Sequence, residues 1–127
     1  MSKAKSKGAA KKDDNKPLVV EVAIDEEGTV QVDPDCLLVT KKKQRIRWKL
    51  DPASAKNWRL VGLCWCGDKQ PPADEFHNWV KEKARITVTD RNTAKGDWPY
   101  GILYREKKAS KGTPPRVFDP IISNDPR

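Results

Sequence analysis

The sequence is poor in the residues that build catalytic and metal centres. It holds one histidine (His77), one methionine (Met1) and three cysteines (Cys36, Cys64 and Cys66). A Ser or Cys nucleophile needs a histidine base oriented by a third group, and His77 is the sole candidate. Its neighbours Asp74, Asn78 and Lys81 read as the exposed face of a helix. Carboxylates are numerous, but no pair stands out as an acid/base couple. An odd, low cysteine count argues against a disulfide framework. No apolar run approaches the roughly 20 residues of a membrane-spanning helix. The first five residues are basic with no apolar segment behind them, which is not a signal-peptide pattern, so a cytoplasmic location is expected. No internal repeat is present.

What is abundant is charge, and it is unevenly placed. Of the formal +8, residues 1–16 carry +4, from six lysines (3, 5, 7, 11, 12 and 16) against two aspartates. The other +4 is spread over 111 residues. The first 16 residues offer nothing large and apolar to dock, so a disordered arm is expected there, followed by a domain over 17–127.

From Pro17 the hydrophobic period is two. Leu18, Val20, Val22 and Ile24 share a strand face, Val30 and Val32 form the next short strand, and Leu37 and Val39 continue. The clearest alternation is 44–50, with Ile46, Trp48 and Leu50 on one face and Arg45, Arg47 and Lys49 on the other. Trp58 and Leu60, Ile86 and Val88, then Tyr100, Ile102 and Tyr104 mark later strands. Pro71-Pro72 opens the one expected helix, about 72–82, where Phe76, Trp79 and Val80 recur at helical spacing. Several short strands with turn signals between them predict an all-β, two-sheet Greek-key sandwich with one short inserted helix.

The run from Val32 to Asp51, which contains Asp33-Pro34, a short apolar strand, Lys41–Lys43 and the strand ending at Trp48-Lys49-Leu50, resembles the second and third strands of cupredoxin-like domains. Trp98-Pro99-Tyr100-Gly101-Ile102-Leu103-Tyr104 resembles the aromatic strand that leads to that family's copper loop. The pattern spans roughly 18–123, and an immunoglobulin-like sandwich reads similarly. A blue-copper site needs two His, one Cys and an axial Met. Here Arg105 stands where the resemblance would place the Cys, and Glu106 to Gly112 contain no His or Met. The resemblance therefore implies a sandwich without copper.

Two constellations remain. Cys36, Cys64, Cys66 and His77 have the donor types of a Cys3His zinc site, but Cys64-Trp65-Cys66 is not the usual Cys-x2-Cys knuckle, so no metal and no cofactor are expected. A redox pair at Cys64 and Cys66 would close only a strained ring. The cations Arg45, Arg47 and Lys49, preceded by Lys41–Lys43, would make a phosphate-binding patch if they met the second basic stretch, Arg105, Lys107, Lys108 and Lys111. Alternatively they are a solvated strand face. Among the aromatics, Trp65 and Trp98 are expected at the surface and the others in the core. The expected function is a non-catalytic binding or structural module for another protein or a second copy, with no membrane role. The alternative is a sequence-independent partner of DNA or RNA, using Lys3, Lys5, Lys7, Lys11 and Lys12 with the Arg45–Lys49 face. A cysteine metal or redox site comes third.

Overall fold

The structure, a computed structural model, describes residues 16–110 and 112–126. Lys3, Lys5, Lys7, Lys11, Lys12 and Lys111 lie outside the described residues. Among the described residues, ten strands and one helical turn follow in chain order: β1 (Leu18–Ile24), β2 (Val30–Asp33), β3 (Cys36–Val39), β4 (Gln44–Leu50), α1 (Pro52–Ala55), β5 (Trp58–Trp65), β6 (Phe76–Lys81), β7 (Arg85–Asp90), β8 (Gly96–Glu106), β9 (Arg116–Phe118) and β10 (Ile121–Asn124). They form two sheets. Sheet 1 has the order β2-β1-β4-β7-β6, and sheet 2 the order β3-β10-β8-β5, with β9 added against β8. Two pairs, β1 with β4 and β3 with β10, run parallel. The chain passes from sheet 1 to sheet 2 between β2 and β3, at a cis Asp33-Pro34 bond. The expected all-β two-sheet sandwich is the observed architecture. Among the described residues no helix is long and apolar enough to cross a membrane.

The period-two residues meet between the sheets. Val20, Val22, Ile46, Trp48, Ile86 and Val88 from sheet 1 face Leu37, Val39, Leu60, Tyr100, Ile102 and Ile122 from sheet 2, all of them buried. Two aromatic pairs pack edge-to-face in this core: Trp48 with Tyr100 at 5.4 Å between centroids, from one sheet to the other, and Trp58 with Tyr104 at 5.5 Å, between the neighbouring strands β5 and β8 of sheet 2. Their polar tips are satisfied, as buried donors require. The Trp48 indole N–H donates to the Tyr100 hydroxyl at 2.8 Å, the Trp58 indole N–H to the Asp25 carbonyl at 3.1 Å, and the Tyr104 hydroxyl to the Gly28 carbonyl at 2.9 Å.

Three expectations are corrected. Residues 76–81 are not a helix but the edge strand β6, paired with β7. The register slips between His77 and Val80, where two residues of β6 oppose one of β7. That bulge shifts the phase of the alternation, so Phe76, Trp79 and Val80 fall at helix-like spacing inside a strand. Asn78 sits in the bulge at φ 58°, a left-handed value that asparagine tolerates. The helical turn lies instead at α1, where the Asp51 carboxylate caps it by accepting from the Ser54 N–H at 2.8 Å. Hydrogen bonding from Ser54, by its side chain first and its backbone N–H second, holds the Asp51 carboxyl below its ordinary pKa. Third, Trp98 is buried and Trp65 is half-buried against Phe76, 4.7 Å between ring centroids, whereas Trp79 is 45% exposed. The bulge accounts for Trp79, which it turns out of the core.

Candidate functional site

The alternation of β4 places Arg45, Arg47 and Lys49 on the outer face of sheet 1. Register then gives the rows that cross this face. One reads Arg45–Thr89–His77, over β4, β7 and β6. The next reads Val19–Arg47–Thr87–Val80, over β1, β4, β7 and β6. A third reads Glu21–Lys49–Arg85. A column of cations thus runs along the central strand, flanked by threonines and by two exposed apolar side chains, Val19 and Val80, at 39% and 56% exposure. Among the described residues none of Arg45, Arg47 and Lys49 is ion-paired; Arg47 donates only to the Thr87 hydroxyl, at 3.4 Å.

At the Arg45 end the face deepens into a recess of about 500 Å³ lined by Lys42, Lys43, His77, Asn78, Thr89, Arg91 and Thr93. The lining carries three fixed cations and no carboxylate. Two lining residues have left-handed backbone, Lys43 at φ 55° and Asn78 at φ 58°, and Asn92, between Arg91 and Thr93, is at φ 53°. Such conformations cost roughly 1–2 kcal/mol each in non-glycine residues and persist only where the surroundings impose them. At Asn92 a buried polar network does so. The Glu75 carboxylate accepts from the Thr93 and Ala94 N–H groups at 2.8 Å each, from the Thr93 hydroxyl at 2.5 Å and from the Asn124 amide at 3.2 Å. Burial disfavours its charge, but those hydrogen bonds more than offset this and leave its pKa below the ordinary value. Asp90 accepts from the Asn92 N–H at 2.9 Å and the Asn124 amide at 3.1 Å. Burial dominates there and raises the Asp90 carboxyl to about 6; these two hydrogen bonds oppose the rise and the charge of Glu75 adds to it. The network fixes the 91–94 loop behind the recess.

The remaining candidates are not brought together. Cys36 on β3 and Cys64 on β5 are three strand spacings apart, about 14 Å, and His77 is in the other sheet. Among the described residues no group of three or more His, Cys, Asp or Glu side chains is arranged to hold a metal ion. Cys64 and Cys66 do meet, with sulfurs 3.7 Å apart, and Cys66 lies 3.6 Å from an Asp119 carboxylate oxygen. Desolvation, with Cys64 and Asp119 adding, raises the Cys66 thiol to about 11, which works against thiolate chemistry at neutral pH. These sulfurs pack on Gly101: a Cβ there would stand 2.8 Å from the Cys64 sulfur and 2.7 Å from a Val117 methyl. The two basic stretches do not share a surface either. Arg105 lies on β8 of sheet 2, and Arg45–Lys49 on the outer face of sheet 1.

Reading the sequence alone misses Arg91, Thr89 and Thr93 as neighbours of Lys42 and Lys43, because strand pairing, not sequence proximity, joins them. One local signal was available: asparagine is disfavoured inside a strand, and Asn78 before Trp79-Val80 marks the bulge. The chain matches no protein-family model and no curated protein.

Proposed function

We propose that this domain is a non-catalytic binding module, a cupredoxin-like sandwich without copper, and that the outer face of sheet 1 takes an acidic surface of another protein. The observation that carries this reading is the row Val19–Arg47–Thr87–Val80, with the exposed Trp79 preceding Val80 on the bulged edge strand. Arginine and exposed tryptophan among aliphatic side chains make up the core of a protein interface, and cations around them favour an acidic partner. The bulge in β6 speaks against pairing through the sheet edge and for binding on the face. The family resemblance gains support from β8, whose aromatic residues occupy an interior strand of sheet 2, while Arg105, where that family carries its Cys, departs from it. Pull-down from extract of the native cells, comparing the parent with Arg47→Glu/Trp79→Ser, tests the reading. Loss of the partner is expected; an unchanged partner set overturns it.

A second reading, sequence-independent binding of DNA or RNA, is favoured by one further contact. The Gln44 side-chain amide donates to the Lys16 carbonyl at 3.0 Å, so the lysine-rich segment joins the domain beside Arg45. Its charge and the β4 column would then act on one polyanion. This reading predicts affinity for a single-stranded oligonucleotide that falls with salt at a log–log slope of about −0.7 per phosphate contact. Absence of any binding at physiological salt removes it.

A further inference from the structure

A second basic recess lies away from the sheet 1 face, at the corner where the turn between β6 and β7 meets β5. The Leu60 N–H donates to the Lys83 carbonyl there at 2.8 Å, tying the two sheets together. The recess measures about 380 Å³, and Arg59, Arg105, Lys81, Lys83 and Glu82 contribute to its lining. Arg59 on β5 and Arg105 on β8 are direct cross-strand partners. Like charges placed directly opposite each other are destabilising, with Cβ atoms only about 5 Å apart. Both side chains are half-buried, and the Nε–H of each is buried with no hydrogen-bond partner among the described residues. The one lining carboxylate, Glu82, is engaged elsewhere, by the Arg85 Nε–H at 2.6 Å. Four cations therefore converge on a recess whose single anion is already held.

We propose that this recess binds a small anion carrying phosphoryl groups, of the pyrophosphate class. Two adjacent guanidinium forks offer up to ten N–H donors between them. A carboxylate, with two oxygens and one charge, would leave most of them unsatisfied. A pyrophosphate brings six terminal oxygens and several negative charges, enough to face both forks side-on, where each Nε–H acts together with a terminal N–H. Lys81 and Lys83 add point charges at the rim. The volume is at the small end of ligand pockets, which suits a compact anion rather than a large organic ligand. The proposal does not rest on the protein-binding reading, because it uses another surface and other residues.

The test is titration of the full-length chain with sodium pyrophosphate at constant ionic strength, following the arginine Nε–H signals by ¹H–¹⁵N NMR. Saturable shifts of the Arg59 and Arg105 signals are expected, with sodium chloride producing none. Arg105→Gln and Arg105→Lys each weaken binding about tenfold or more, since the lysine restores the charge but not the fork. Arg45→Gln on β4 leaves the affinity unchanged. Affinity equal to the parent's in Arg105→Lys, or shifts confined to Arg45 and Arg47, overturns the proposal. So does a non-saturable response, or an oligothymidylate that shifts the two signals where pyrophosphate does not.

Discussion

Asp90 provides the sharpest test of the polar network behind the sheet 1 recess. Its carboxyl is fully buried, at 0% exposure, and its Oδ2 has no partner. The side-chain oxygens of Asn92 and Asn124 in the same network are also unpartnered acceptors. Three acceptors without a donor favour a protonated Asp90, in line with its pKa of about 6. The sign follows from linkage. An acid whose folded pKa exceeds its unfolded value, 3.8 here, binds more protons when folded, so the penalty is absent below pH 4 and grows as pH rises to about 6. Roughly two pK units at 1.36 kcal/mol each make the penalty about 3 kcal/mol above pH 7. Asp90→Asn keeps the acceptor and supplies the missing donor. It should therefore be more stable than the parent by up to about 3 kcal/mol at pH 8, on the order of 10 °C in melting temperature, and equal to it at pH 4. Urea unfolding at both pH values reads this directly. A variant that is less stable at pH 8, or a difference that does not vanish at pH 4, refutes the argument.

Three other outcomes follow from the packing. Trp48→Ala, which empties the centre of the core and strands the Tyr100 hydroxyl, should cost on the order of 3–5 kcal/mol in chemical denaturation; a variant as stable as the parent would place Trp48 outside the core. Gly101→Ala should cost about 1–3 kcal/mol, because its Cβ meets the Cys64 sulfur and Val117, and a neutral result would mean that those side chains can move aside. Deleting residues 1–15, which contain no large apolar residue apart from Met1, should change the melting temperature by only a few degrees; a large drop would show that they pack on the domain.

The strands that face the core on one side were legible in the sequence because burial imposes a strict period of two on them. Ile46, Trp48 and Leu50, and Tyr100, Ile102 and Tyr104, fall where alternation puts them. β6 was not legible, because a single bulged pair at Asn78-Trp79 is enough to convert an alternating pattern into one with helical spacing. Trp98 was misplaced for a different reason. β8 begins at Gly96 rather than after Pro99, so Trp98 already belongs to the inward set with Tyr100. Of the candidate site, the column Arg45, Arg47 and Lys49 could be read from one strand alone. Its meeting with Thr89, His77 and Arg91 depends on which strands become neighbours, and local sequence does not encode that. The same holds for Arg59 and Arg105, 46 positions apart in number and directly paired in register.

The proposed partner surface is the outer face of sheet 1. It is tested most directly by a pull-down from nuclease-treated extract of the native cells, using the parent, Arg45→Glu/Arg47→Glu/Lys49→Glu, and the control Lys107→Glu/Lys108→Glu, each verified as folded by its melting curve. The triple variant is expected to lose the protein partner, while the control and the parent retain it after nuclease treatment. Retention by the triple variant, or loss by the control, would contradict the claim.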